Sequence, residues 1–204
     1  MTRLLLICGS LRSGSTNGAL LQTVASLLPV DVVADVYAGM GALPQFNPDN
    51  DQDPLPPTVT DLRARIAAAD AILFSTPEYA GAMPGSLKNL LDWTVGGVEI
   101  SEKPASWINT STSPAGASAT YESLTTVLRY TGANVIEAAC VRIPITRDAV
   151  DADGLIHDAR LCDQIGAAVA ALLAAGASVT AADPPAPSPV QLGESVRNEP
   201  GVQR

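Results

Sequence analysis

A chain of 204 residues, 47% of them hydrophobic and 16% charged, is long enough to bury one substantial core, so a single domain is expected. A net charge of −9 with no basic run argues against nucleic acid, whose phosphates would be repelled, and favours small neutral substrates or basic partners. Cys8, Cys140 and Cys162 are widely spaced and form no C-x-x-C, so neither a disulfide framework nor a zinc site is suggested and a cytoplasmic setting is expected.

Strand-like and helix-like segments alternate along the chain, the pattern of a parallel sheet covered on both faces. The opening run Leu4-Leu5-Leu6-Ile7-Cys8 predicts a buried strand over 3–8; it is too short for a lipoprotein signal, and bulky Ile7 precedes the cysteine. The loop Gly9-Ser10-Leu11-Arg12-Ser13-Gly14-Ser15-Thr16-Asn17 follows, and a helix is predicted over 17–28. A strand feeding a small-residue loop into a helix start aims backbone N–H groups and the positive end of the helix dipole at one spot, which suits phosphate. Ser10, Ser13, Ser15 and Thr16 add hydroxyl donors, and Arg12 supplies a planar fork suited to a dianionic monoester. Gly9 to Thr16 fits G-x-x-x-x-G-K-[ST] except that Ser15 stands where a triphosphatase needs lysine. Leu11 replaces the second glycine of G-x-G-x-x-G, and Gly14 occupies the place where a Cys-based phosphatase starting at Cys8 would carry arginine. A loop for a terminal monophosphate, as in flavin mononucleotide, survives, beside the alternative of an ordinary Ser/Gly-rich turn.

A strand over 31–37 leads into the long Pro- and Asp-rich connection 38–57, which is expected to carry no regular element and to border the substrate cavity, with a solvated connection as the alternative. Asp49, Asp51 and Asp53 lack the distal glutamate of a calcium loop and read as solvated turn residues. A helix over 58–69 and a strand over 71–76 come next, followed by Pro77-Glu78-Tyr79-Ala80-Gly81-Ala82-Met83-Pro84-Gly85 and a helix over 85–95 with Leu87, Leu90 and Leu91 at helical spacing. Tyr79 offers a flat ring to stack on a flavin, and backbone groups from Glu78 to Gly81 can meet its polar edge; Tyr79 and Trp93 as plain core or surface aromatics are the alternative. A strand over 104–109 ends in Thr110-Ser111-Thr112-Ser113-Pro114-Ala115-Gly116, small and polar enough for its backbone to approach a ligand closely. A helix over 119–131, a strand over 134–141 and a helix over 158–175 complete five β/α units. The Ala-rich run Ile165 to Ala175 reads as too short and too weakly apolar to span a bilayer, so no membrane is expected. His157, the only histidine, sits beside Asp158 and reads as a surface residue; no hydrolytic triad can be built without it. The domain is expected to run over 1–181, with 182–204, rich in Pro184, Pro185, Pro187 and Pro189, as a disordered tail.

Gly9-Ser10-Leu11-Arg12 through Ser15 and Asn17, with Pro77-Glu78-Tyr79 and Pro84-Gly85-Ser86-Leu87-Lys88-Asn89 through Asp92-Trp93, resembles the NADPH-dependent FMN reductase family over most of residues 1–175. The resemblance implies an α/β, flavodoxin-like fold: a doubly wound five-stranded parallel sheet with helices on both faces. It implies bound FMN, NADPH or NADH as hydride donor, and a small-molecule electron acceptor: a quinone, an azo compound, a metal oxyanion or free flavin. On this reading Ser10, Arg12, Ser15, Thr16 and Asn17 bind the cofactor from the first loop, and Pro77, Glu78, Tyr79, Ala80 and Gly81 from the second. Ser111, Ser113 and Gly116 would lie along the ring edge from the third. Two departures stand out, since the family usually has asparagine where this chain has Ala80 and glycine where it has Ala115. The resemblance also implies a homodimer or homotetramer in which a neighbour helps wall the flavin site, with Leu90-Leu91-Asp92-Trp93 as the candidate apolar interface.

No side chain is assigned a catalytic role, because the flavin carries the chemistry and the protein binds and orients it. A reduced nicotinamide is expected to stack on the flavin, deliver hydride and give way to the acceptor, while backbone donors of the second and third loops stabilise charge on the reduced ring. Two other classes stay open: a flavodoxin-like one-electron carrier, and a flavin-free binding protein in which Ala80 and Ala115 mark a decayed site.

Overall fold

The computed structural model describes residues 1–180, with side chains through Ala177; the expected tail 182–204 and the domain boundary at 181 lie outside the described residues. Four strands run parallel through the centre: β1 (Thr2–Cys8), β2 (Val32–Tyr37), β3 (Ala71–Ser75) and β4 (Pro104–Asn109). Their order is β2-β1-β3-β4, and the fifth position is shared by β5 (Asn134–Val135) and β6 (Val141–Arg142), each parallel to β4. The single strand expected over 134–141 is thus two short ones. A 3₁₀ turn over Glu137–Ala139 separates them, tucking Ala139 into the core while Glu137 turns outward to pair with Arg129.

The helices are α1 (Thr16–Leu27), α2 (Pro57–Ala68), α3 (Gly85–Asp92), α4 (Ser118–Tyr130) and α5 (Ala159–Thr180). Because side chains alternate along a strand, β1 feeds both faces of the sheet. Leu5 and Ile7 pack with Val59, Leu62 and Ile66 of α2, Leu87 and Leu90 of α3, and Leu124 and Leu128 of α4. Leu4 and Leu6 pack with Leu20 and Val24 of α1 and with Ile165, Val169 and Leu172 of α5. The strands are apolar on both sides because both sides are covered, which is the doubly wound arrangement.

Two helices differ in length from their sequence reading. α3 stops at Asp92 rather than 95, where Thr94 and the glycines Gly96 and Gly97 turn the chain away. α5 runs on to Thr180, and its stretch Ala159–Ala177 is long and apolar enough, by length and composition, to cross a membrane. That corrects the expectation of a run too short to do so. In the fold Ile165, Ala168, Val169 and Leu172 of this helix are buried against the sheet, which is how a core-packed helix passes the same test.

The connection 38–57 is exposed over most of its length but anchored to the core by Met40, Leu43 and Phe46. It forms 3₁₀ turns over Met40–Ala42 and Pro48–Asn50 and lies across α3. The Pro44 carbonyl accepts from both Asn89 Nδ2 (2.9 Å) and Trp93 Nε1 (2.8 Å), Asn89 Oδ1 accepts from Phe46 N, and Phe46 meets Trp93 edge-on at 5.0 Å. Asp51, read as a solvated turn residue, is buried and paired with Arg63 at 2.6 Å, and Arg63 Nε also donates to the Trp93 carbonyl.

Candidate cofactor site

Parallel strands deliver their carboxyl ends to one edge, so the loops after β1, β3, β4 and β6 converge there. They enclose a cleft of about 520 Å³, within the range of small-molecule sites. From the first loop Ser10, Arg12, Ser15, Thr16 and Asn17 line it; from the second, Pro77, Glu78 and Tyr79; from the third, Ser111 and Ser113. Ala80 and Gly81 do not line it, because they form the outer corner of a two-residue hairpin in which Tyr79 and Ala82 exchange backbone hydrogen bonds at 2.9 and 3.1 Å. Gly116 faces a separate hollow on the other side of its loop, beside Trp107 and Arg142. No residue of 38–57 lines the cleft either, so the expectation that this connection borders the substrate cavity is corrected: its task is to pack α3.

The first loop is shaped by its own polar groups. Ser15 caps α1, its hydroxyl accepting from Gly18 N at 3.0 Å, which leaves the N–H groups of Thr16 and Asn17 without partners among the described residues. Ser10 Oγ accepts from Arg12 N, and the Arg12 guanidinium, exposed, reaches back only to the Gly14 carbonyl. Gly9 has no room for a side chain, since a Cβ there would overlap Thr76 at the end of β3. Its N–H donates to the Ser75 carbonyl at 2.8 Å, so the first two loops leave the sheet in direct contact. Beneath the loop, burial pushes the Cys8 thiol above its ordinary pKa.

Asn17 is a strut rather than a surface ligand. It is buried, and its Oδ1 accepts from Ser75 Oγ (2.8 Å) and Thr110 Oγ1 (3.1 Å), tying the first turn of α1 to the ends of β3 and β4. Its amide nitrogen keeps no partner among the described residues. Glu78 is also engaged: its carboxylate accepts from the backbone N and the hydroxyl of Thr120 at 3.3 and 3.4 Å, at the positive end of α4. Tyr121 donates its hydroxyl to the Thr76 carbonyl at 2.8 Å, and burial holds its phenol well above the usual range.

The third loop is held by residues that the sequence reading passed over. Asn109 Oδ1 accepts from Ser111 N while its Nδ2 donates to the Gly116 carbonyl, and Ser113 Oγ accepts from Gly116 N. Arg142, on β6, donates to the carbonyls of Ser111 (3.1 Å) and Ser113 (2.6 Å). A Cβ on Gly116 would meet that guanidinium at 2.8 Å, so the glycine serves a close approach to Arg142. Thr110, part of the third loop in the sequence, lines the cleft too, and Thr76, Ala117 and Ile145-Thr146-Arg147 do so unforeseen; a polar residue at a strand end was the only local signal for Thr76. His157 stands apart on the surface, 2.8 Å from Asp153.

Free helix N–H groups, hydroxyls, two arginines and an exposed tyrosine ring around one strand-end cleft define a nucleotide-binding α/β protein of the flavodoxin-like kind, and this donor set fits a flavin phosphate. The sequence profile described as NADPH-dependent FMN reductase matches residues 2–148. An NAD(P)H-dependent FMN reductase of Pseudomonas aeruginosa is 36% identical over 154 residues, covering 74% of this chain and 83% of that one. A 2-hydroxy-1,4-benzoquinone reductase of Burkholderia is 34% identical over 157 residues, 76% of this chain and 85% of the relative. Among solved structures, the flavoenzyme NAD(P)H:(acceptor) oxidoreductase of Paracoccus denitrificans superposes with a TM-score of 0.78 at 29% identity, covering 87% of this chain and 98% of that one. The chain belongs to the NADPH-dependent FMN reductase family. It is an oxidoreductase with FMN as cofactor and NAD(P)H as donor.

Proposed function

We propose that this chain uses NAD(P)H and FMN to reduce a small quinone-type acceptor, with FMN held in the cleft at the carboxyl edge of the sheet. The observation that carries the placement is the convergence of three loops on the open amino end of α1. When bound, FMN would supply the hydride chemistry that links NAD(P)H to the acceptor. The residues supply the rest. The N–H groups of Thr16 and Asn17, the hydroxyls of Ser10 and Thr16, and Arg12 would hold the phosphate. Pro77 to Tyr79 and Ser111 to Ser113 would line the ring, with Asn17, Tyr121, Glu78 and Arg142 fixing those loops to the scaffold. The ring of Tyr79, 54% exposed, offers an apolar surface at the mouth where donor and acceptor alternate.

Two finer points belong to this reading: a cytoplasmic setting, and a homodimer or homotetramer. Leu90, Leu91 and Trp93 are wholly buried within their own chain and cannot form the interface expected of them. Val95 and Val98, 66% and 81% exposed just beyond α3, take that part.

A visible spectrum tests the whole reading. Purified protein with added FMN should show a bound-flavin spectrum that NADPH bleaches and benzoquinone restores. Bound flavin that NADPH leaves oxidised would mark an electron carrier instead, and failure to bind FMN would overturn the assignment.

A further inference from the structure

We infer that Arg147 is the second cation on the terminal phosphate of FMN, completing with Arg12 a pair of guanidinium groups that matches the two charges of a phosphate monoester. The inference rests on the FMN reading of the cleft.

Position comes first. Ile145 N donates to the Thr110 carbonyl at 3.1 Å, and the Thr110 hydroxyl donates to Asn17, the second residue of α1. Two residues beyond Ile145, Arg147 lines the same cleft as Ser10, Arg12, Ser15 and Thr16. Three residues further, Val150 lines an adjoining hollow with Arg12, Ser15, Gly18, Leu21 and Gln22. The segment 145–150 therefore wraps the amino end of α1. Arg147 thus borders, together with Arg12, the cleft onto which the free helix N–H groups of Thr16 and Asn17 open.

The state of its charge comes second. Among the described residues, every lysine and arginine other than Arg147 and Arg160 holds a carboxylate or a carbonyl. Arg160 sits on α5 and does not line the cleft. The neighbouring Asp148 forms no ion pair with Arg147 among the described residues. In a chain of net charge −9, an unpaired guanidinium lining the same cleft as free helix N–H groups is a site prepared for an anion. Arg12 alone leaves half of a dianion's charge unmet.

Riboflavin, which lacks the phosphate, separates this role from a structural one. Apoprotein is titrated with FMN and with riboflavin, following quenching of flavin fluorescence, for the wild type, Arg147→Ala and Arg147→Lys. We expect the wild type to prefer FMN. Arg147→Ala should lose about tenfold or more in FMN affinity with riboflavin binding unchanged, and the lysine variant should recover part of the loss. A preference for FMN left intact in Arg147→Ala overturns the inference while sparing the phosphate site. Equal weakening of both flavins overturns it in favour of a loop-shaping role. A wild type indifferent to the phosphate overturns the phosphate site and the inference together.

Discussion

Ala80 sits at φ 52° and Gly81 at φ 72°, the pair of left-handed residues that a tight two-residue hairpin demands. Glycine meets that demand freely, whereas an alanine there costs about 1 kcal/mol or more and asparagine costs less, since its short amide tolerates the left-handed region. Ala80→Asn should therefore stabilise the protein by about 1 kcal/mol, raising the melting temperature by roughly 2–4 °C in a thermal scan. An unchanged melting temperature would show the corner to be unstrained. Asparagine at this place in related sequences then has a conformational reason, and Ala80 needs no contact with flavin to be explained. Arg12 makes the complementary case: its guanidinium holds only a carbonyl of its own loop, so Arg12→Ala should leave stability within about 0.5 kcal/mol while FMN affinity falls sharply. Dialysis of the loaded variant would reveal the loss; full retention would remove Arg12 from the site. Residues of the first loop were legible because strand, loop and helix start are contiguous. The role of Asn17 as a strut was not legible, since its partners lie across the sheet; the bond from Thr110 to Asn17 spans 93 positions.

At the scale of elements, the connection 38–57 shows how long-range pairing escapes a sequence. Asp51, Asp49 and Asp53 are alike as letters, yet of the three Asp51 alone joins a buried ion pair, with side-chain exposures of 10% for Arg63 and 8% for Asp51. Removing one member strands the other, so Asp51→Ala should destabilise by about 3–5 kcal/mol in urea unfolding. Glu137→Ala, breaking a pair whose side chains are 60% and 75% exposed, should change stability by less than about 1 kcal/mol. Equal effects would sink the distinction. The turn that leads into α5 holds a titrating pair. Hydrogen bonding to Asp153 raises His157 above 6.5, and hydrogen bonding to His157 lowers Asp153 below 3.8. The histidine's contribution is complete below 6.5 and fades as pH rises through its folded value; the aspartate's is present above 3.8 and fades as pH falls through its own. The pair therefore supports this turn in the mildly acidic range between. In an NMR titration His157 should give a midpoint above 6.5, and Asp153→Asn should bring it down; no movement would show the pair to be idle. Strand and helix periodicity located the elements to within a few residues, because covered strands are uniformly apolar and helices follow them. The break at Glu137–Ala139 was invisible because the run Asn134 to Val141 is apolar enough to pass for one strand.

For the whole molecule, the doubly wound sheet explains why one edge carries the chemistry: every parallel crossover returns its loop to the same side. The core is complete within a single chain, with Leu90, Leu91 and Trp93 fully covered, so assembly is a matter of surface and not of unfinished packing. Light scattering should report a dimer or tetramer, and a Val95→Asp, Val98→Asp double variant should shift it towards monomer without loss of folded structure. A monomeric wild type would remove the oligomer from the proposal. The divided fifth strand has a consequence for the molecule in a crowded solution. A long straight margin of a sheet displays a row of free N–H and C=O groups on which another chain can be templated. Here that margin amounts to two residues, a turn, and two residues more, with Glu137 and Arg142 beside the gaps. An intruding strand finds few consecutive partners there, so the interruption blunts this margin of the sheet, while the six-residue β2 forms the other.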